Sequence, residues 1–460
     1  MPTQQPKVVI LGAGSLFFGR KAIWQMVHSP HLNRGTLGLV DTDAERLMKM
    51  EKLARMVAEH HGVGLTIEAS TERTDVLDDA DFVVLSFADR NAHFRGIDCQ
   101  LSAKYGIRMC SGDTIGPGGV MRTAREFPEI IAACRDIEKQ APNAWVINYI
   151  NPTAVHGIGL RRYFPELRSF ALCDAQWHLR RAYAGLAGVP DDEKFVLLTA
   201  GPNHFTWVIK ARYDGRDVLP DIVDAIRRSA EADANRQAQG AATQAKGYQN
   251  NAIAIELYEG LGALPTVLGH TKEYVRYYQG LGKAGRDRHD SLKLFEVPDR
   301  IAWTEAVWQR VDAYIAGQAP IGEFDTEFGP DPATDVIENM WAGLGKRMFI
   351  NTSNDGAVPN MPDDAFLELY CDLSMDGPRP VAHGPLPVGI RGMCQLVLDT
   401  HELTAEAVYE GRRDLLRRAL LVDPLTNSIG DADALLEELL EAEADALPEH
   451  RFGGATGAGV

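Results

Sequence analysis

Short apolar, β-branched runs alternate with amphipathic stretches over the first third of the chain. Residues 7–12 (KVVILG) run into a glycine pair, and an amphipathic stretch follows at 21–28. A second apolar run, 38–41 (GLVD), ends in an acid, and 44–60 carries helical periodicity. Residues 66–69, 81–87 and 144–149 are further strand-like runs, the last preceded by a helical stretch at 124–140. Strands alternating with helices at this spacing predict βαβ units and a parallel sheet.

Beyond about residue 175 the pattern changes. Helical stretches are predicted at 221–257, 299–316, 335–345, 402–420 and 432–446, with strand-like pieces at 194–199 and 205–212 between them. The expected fold is therefore α/β: a Rossmann-type parallel sheet first, then a mixed α+β domain. The boundary falls within 170–200, dividing the chain into 1–195 and 196–450. The Gly-rich end, 451–460, is expected to be a disordered tail.

Composition narrows the function classes. The chain has 460 residues and a formal net charge of −17, without basic clusters. It lacks the electrostatic footprint that phosphate backbones require, which argues against nucleic-acid binding. No apolar run approaches the ~20 residues that span a bilayer, and the first residues, MPTQQPK, lack a signal peptide's apolar stretch. Six scattered cysteines make no disulfide framework, and a reducing, cytoplasmic setting is expected.

A strand entering Gly12-Ala-Gly14-Ser15 ahead of a helix has the form of a dinucleotide turn. Glycines let backbone N–H groups approach a pyrophosphate at the helix N-terminus. The third glycine position of G-x-G-x-x-G holds Phe17. Asp41 ends the second strand, where an acid can take both ribose hydroxyls and repel a 2′-phosphate, favouring NAD over NADP. It could instead cap the following helix, a task open to Thr42 and Asp43 as well.

Four other segments carry polar residues without an obvious structural task. Residues 111–119 (SGDTIGPGG) read as a glycine loop holding Asp113, ahead of a helix with Arg122 and Arg125. Asn151 stands in NYINP at a strand's carboxyl end, where the ligand crevice of an open α/β sheet lies; an Asn-Pro turn is the plainer reading. Cys173-Asp174 and Asn203-His204 complete the set. A Cys/His pair suits a borderline divalent ion, although a lone buried Cys usually acts as a small hydrophobe. Arg90 and Arg95 could form a fork for an anionic group or charge a helix start.

Taken in order, these blocks resemble glycoside hydrolase family 4, the NAD- and metal-dependent glycosidases. The likeness runs through DTIGPGGVMR, NYINP, Leu172-Cys173, Asn203-His204 and His270-x-x-Glu-Tyr274, then on through Asn354-Asp-Gly and Asn360-Met-Pro. It implies a C-terminal domain like that of lactate and malate dehydrogenases, NAD and Mn²⁺ or a similar ion as cofactors, a small-molecule glycoside as substrate, and a homodimer or homotetramer. Gly12, Gly14, Ser15, Phe17, Asp41 and Asn151 would serve the nucleotide, and Cys173 and His204 the metal. Asp113, Asn151, Asn203 and Arg95 would face substrate. The implied chemistry is redox elimination, with Tyr274 as base (Tyr277 or Tyr278 in reserve) and Asp174 as general acid. The blocks sit closest to the melibiase and α-glucosidase branch, except that Cys173-Asp174-Ala175 stands where that branch commonly has Cys-His-Ser. An NAD-dependent dehydrogenase of a hydroxy acid or sugar is the rival reading, and NADH accumulation separates the two.

Overall fold

The computed structural model describes residues 5–15, 18–238, 245–279, 294–329 and 332–448, with Leu292 and Phe452. Phe17 and nearly all of 451–460 lie outside the described residues.

Six strands build the N-terminal sheet: β1 (Lys7–Leu11), β2 (Thr36–Val40), β3 (Thr66–Ser70), β4 (Phe82–Leu85), β5 (Trp145–Asn148) and β6 (Arg168–Ala171). Neighbouring pairs among them run parallel, in the spatial order β3-β2-β1-β4-β5-β6. β4 and β5 are buried along their whole length, as a strand covered on both faces must be. The crossovers are α1 (Gly19–His28), α2 (Ala44–His61), α3 (Asn91–Lys104), α4 (Gly116–Gln140) and α5 (Thr153–Tyr163), followed by α6 (Leu179–Ala187). α2 shows how local chemistry sets an end. Asp43 accepts from the Arg46 N–H at its start, and Gly62 closes it in the left-handed region.

The second half is mixed. β7 (Phe195–Ala200), β8 (Trp207–Tyr213) and β9 (Arg216–Asp217) form a separate antiparallel sheet. α7 (Leu219–Ala238), α8 (Ala245–Leu261), α9 (Leu268–Tyr274), α10 (Val297–Ile315), α11 (Phe324–Glu327) and α12 (Pro332–Ala342) follow. The chain then returns to the first sheet. β10 (Arg347–Ser353) pairs antiparallel with β6, and β11 (Phe366–Ser374) and β12 (Gly377–Pro380) extend it to nine strands. α13 (Val388–Glu410), α14 (Arg413–Val422) and α15 (Ile429–Ala442) end the fold. Both halves of the chain therefore share one sheet and contribute to a common core cluster, in which Val8 and Ile10 join Ile350 and Leu369.

Three expectations need correction. The glycine stretch 111–119 is a loop only to Ile115, because α4 starts at Gly116 and Pro117 suits a first helical turn. The helical stretch 221–257 is two helices, α7 and α8. The stretch 402–420 is likewise two, broken at Gly411, which takes a positive φ as the C-cap of α13. Among the described residues no helix is long and apolar enough to cross a membrane.

Candidate active site

The turn after β1 is held by backbone bonds. The Gly12 and Ala13 N–H groups both donate to the Val40 carbonyl, and Ser15 N–H donates to the Gly12 carbonyl. Gly12 sits at φ +93°, and a Cβ there would lie 2.6 Å from the Phe87 nitrogen. Asp41, half-buried, accepts the Gly14 N–H at 2.7 Å on one oxygen and the Asp43 N–H at 2.9 Å on the other. Asp43, rather than Asp41, caps α2, so Asp41 stands beside the glycine turn at the β2 end. Close-packed glycines, the start of α1 and an acid at the next strand's tip suit a dinucleotide's pyrophosphate and ribose.

Residues 172–176 leave β6 in an extended step and a short 3₁₀ turn over Asp174–Gln176, capped by the Cys173 sulphur accepting from the Ala175 N–H at 3.4 Å. Between β7 and β8, Phe205 N–H donates to the Pro202 carbonyl at 2.8 Å and closes a tight turn. His204 in that turn has φ +65°, a conformation that costs a non-glycine residue of order 1 kcal/mol or more. The two turns bring the Cys173 Sγ within 2.9 Å of the His204 Nε2. Burial first, then the Glu368 and Asp174 carboxylates, push the Cys173 thiol well above its ordinary value. Burial and the neighbouring His270 hold the His204 imidazole neutral.

Tyr274 closes α9 beside this pair. It is buried, stacked on Phe205, and its hydroxyl donates to the Asn203 carbonyl at 3.1 Å. Its phenol is raised by burial, with Glu273, Asp113 and Cys173 adding to the rise and Thr114 opposing it. The two reserve tyrosines stand apart. Tyr277 is 47% exposed, and Tyr278 donates to Glu256 at 3.1 Å.

Asp113 is the polar hub of the opposite wall. It accepts from Arg122 at 3.1 Å, from the Asn151 amide at 3.3 Å, and from the Ser111 hydroxyl. Arg95 stands 3.7 Å away while donating to the Ser111 carbonyl. Burial disfavours the Asp113 charge, yet Arg95 and Arg122, with His270 behind them, hold the carboxyl well below the usual range. The proposed Arg90–Arg95 fork does not form: Arg90 turns outward to Asp445 and Asp89. Arg95 instead shares its surroundings with Arg122 and Arg300: after burial, Arg95 and Arg122 both depress the Arg300 pKa, with Asp113 opposing.

Several contributors were given no role from the sequence. Glu273 accepts the Ser111 N–H and so ties α9 to the Asp113 loop. The His270-x-x-Glu273 spacing put both on one helix face, a signal that was available. His270 stacks on His204 with ring centroids 4.1 Å apart. Glu368 lies buried on β11, accepting from Gln176 at 2.7 Å, with its carboxyl raised to about 7 by burial against hydrogen bonds that lower it. A lone acid in the apolar run FLELY marked it.

The donor set fits a metal and a dinucleotide. A thiol that burial and two carboxylates keep protonated, beside a neutral imidazole, becomes a good ligand pair once a borderline cation is present. The buried Nδ1 atoms of His204 and His270 have no hydrogen-bond partner among the described residues.

Family models match both halves of the chain. "Family 4 glycosyl hydrolase" matches residues 7–186, and "Family 4 glycosyl hydrolase C-terminal domain" matches 199–426. The chain is 27% identical to a Bacillus subtilis (strain 168) protein named "Probable 6-phospho-beta-glucosidase", over 97% of this chain and 98% of that one. It is 26% identical to an alpha-galacturonidase of the same strain, with 95% and 97% covered. A solved 6-phospho-alpha-glucosidase from gut microorganisms, in complex with NAD and Mn²⁺, shares the fold at a TM-score of 0.79. That likeness covers 97% of this chain and 100% of that one at 24% identity. With matches to both of its domains, the chain belongs to family 4 of the glycosyl hydrolases and is a glycoside hydrolase.

Proposed function

We propose that the protein hydrolyses an α-glycoside by NAD-dependent redox elimination. The observation that carries this reading is the meeting of Cys173, His204 and Tyr274, from three separate elements, around the Asn203–His204 turn. A hydride-transfer enzyme of the lactate or malate type needs no thiolate-imidazole ligand pair. When bound, NAD⁺ would supply a reversible hydride acceptor, and a divalent ion such as Mn²⁺ would supply a Lewis acid. The sugar is oxidised at C3, loses a proton from C2, expels its aglycone from C1, gains water and is reduced again at C3.

The chain's own groups have the following tasks. Gly12, Gly14, Ser15 and Asp41 hold the dinucleotide, with Asn151 at the sheet crevice. Cys173 and His204 hold the ion. Tyr274 Oη takes the C2 proton, which the adjacent oxidised carbon has acidified. A phenol with its pKa raised is a poor base, so the positive charge that Cys173 and His204 hold nearby must lower it. Asp174, exposed at the edge of the site, gives a proton to the glycosidic oxygen. Asp113, Asn151 and Asn203 orient hydroxyls. Arg95 and Arg122 hold the Asp113 carboxylate in place for that task.

Hydrolysis of nitrophenyl glycosides tests the reading, using neutral, uronic and 6-phosphorylated sugars in both anomers, with NAD⁺ and Mn²⁺ each present or withheld. Release of nitrophenol is expected to need both cofactors and to leave NADH at its starting level. Steady NADH formation from a free sugar or hydroxy acid, with no release from any glycoside, would replace hydrolysis with dehydrogenation.

A further inference from the structure

At the opposite edge of the parallel sheet, three side chains converge that the reaction does not use. His28 is the last residue of α1 and His61 the last of α2. Crossover helices run against their strands, so these helix ends lie at the amino edge of the sheet, away from the crevice. Asp325, on α11, meets both. His61 Nε2 is 2.9 Å and His28 Nε2 3.3 Å from the same Asp325 oxygen. Among the described residues this is the one convergence of three His, Cys, Asp or Glu side chains with a ligand atom from each within 4.8 Å. Ligand atoms around a tetrahedral zinc stand about 3.4 Å apart, given bonds of ~2.0–2.1 Å.

The surroundings orient these groups. His28 Nδ1 lies 2.7 Å from the Trp24 carbonyl, to which it can only donate, so Nε2 is the nitrogen left to face Asp325. A backbone carbonyl on the far ring nitrogen is what fixes a metal-binding histidine's tautomer. Trp24 stacks on His28, and its indole N–H donates to the Asp325 carbonyl at 3.1 Å, so the ring and the carboxylate are held against each other. With Nδ1 so occupied, Nε2 meets the carboxylate oxygen across either a proton or a metal cation. Two helix C-termini add their negative ends at the same place. All three side chains keep about a quarter of their surface exposed, leaving an entry path and room for water as a fourth ligand.

We propose that His28, His61 and Asp325 form a second divalent-metal site, distinct from the Cys173–His204 pair, for Zn²⁺ or a similar borderline ion. Bound there, the ion pins α11 to the ends of α1 and α2. A structural role follows, because none of its ligands belongs to an element that carries Cys173, His204 or Tyr274.

Cobalt titration of the tag-free, full-length protein, followed in the visible and near ultraviolet, distinguishes the sites. The Cys173 site gives a thiolate-to-cobalt charge-transfer band, whereas a His₂Asp site gives d–d bands alone. Two equivalents are expected to bind, one of them without the thiolate band. Asp325→Asn and His61→Gln should each lose that silent equivalent and keep the other, and Cys173→Ser should do the reverse. Saturation at one equivalent carrying the thiolate band would overturn the proposal. So would a silent equivalent that survives both Asp325→Asn and His61→Gln.

Discussion

Asp113 is charged in a buried setting because two guanidiniums face it, and this sets a pH dependence with a definite sign. Its carboxyl titrates near ~4 in the unfolded chain and well below that when folded. Its contribution is therefore fully present above the unfolded value and is lost as pH falls from about 4 towards the folded one. Asp113→Asn leaves Arg95 and Arg122 without their partner and is expected to cost about 3–5 kcal/mol near pH 7. Urea denaturation at a series of pH values should show the gap between wild type and variant closing below about pH 4. Asp174 is tested by leaving group. Asp174→Asn should slow glycosides with alkoxide leaving groups by about 10²-fold or more and leave nitrophenyl glycosides nearly unaffected, since a good leaving group needs little protonation. Equal losses on both would remove the general-acid assignment.

At the level of elements, the β1–α1 turn and the α9 helix each depend on one close approach. A Cβ on Gly14 would come 2.8 Å from the Asp41 carboxylate oxygen, on the side where that carboxylate now accepts the Gly14 N–H. Gly14→Ala should displace Asp41 and weaken NAD⁺ binding about tenfold, the equivalent of one hydrogen bond of ~1.4 kcal/mol. Calorimetric titration with NAD⁺ would read it, and an unchanged affinity would detach Asp41 from the nucleotide. α9 is short, and its tie to the Asp113 loop runs through Glu273. That tie explains how a seven-residue helix can hold a tyrosine in register with a turn from another sheet.

At the scale of the whole molecule, the C-terminal helices are locked to the nucleotide-binding half by a buried trio. Arg125 of α4 pairs with Asp98 of α3 at 2.9 Å and with Glu443 just past α15, both carboxyls being fully buried. Burial first, and the Asp98 charge after it, push the Glu443 carboxyl up to about 9. A Glu443 carboxyl raised in this way and keeping its proton leaves the trio without net charge. Arg125→Met strands two acids and should cost about 3–5 kcal/mol. Glu443→Gln, which mimics the protonated form, should cost less than about 1 kcal/mol. Guanidinium denaturation at pH 7 compares them, and a Glu443→Gln loss as large as that of Arg125→Met would mean that Glu443 is ionised.

Local order was readable wherever it is local in origin. The apolar runs at 7–12, 81–87 and 144–149 each contain an observed strand, because burial on both faces leaves a continuous hydrophobic stretch. The run 66–69 lies within the edge strand β3, buried only at Ile67. Gly12 and Gly14 could be named because turn chemistry is a property of the residues themselves, whereas Cys173 and His204 were candidates by donor type and became a ligand pair only through the family resemblance. Pairing between distant segments was not readable. β10, β11 and β12 join the first sheet beside β6, a partner about 180 residues earlier in the chain for β10, and periodicity carries no information about which edge a strand will find. Glu273, Glu368 and Arg300 entered the site for the same reason. A buried polar group is specified by the partner that satisfies it, and those partners (Ser111, Gln176 and the Asp113 surroundings) are brought close only by the folded chain.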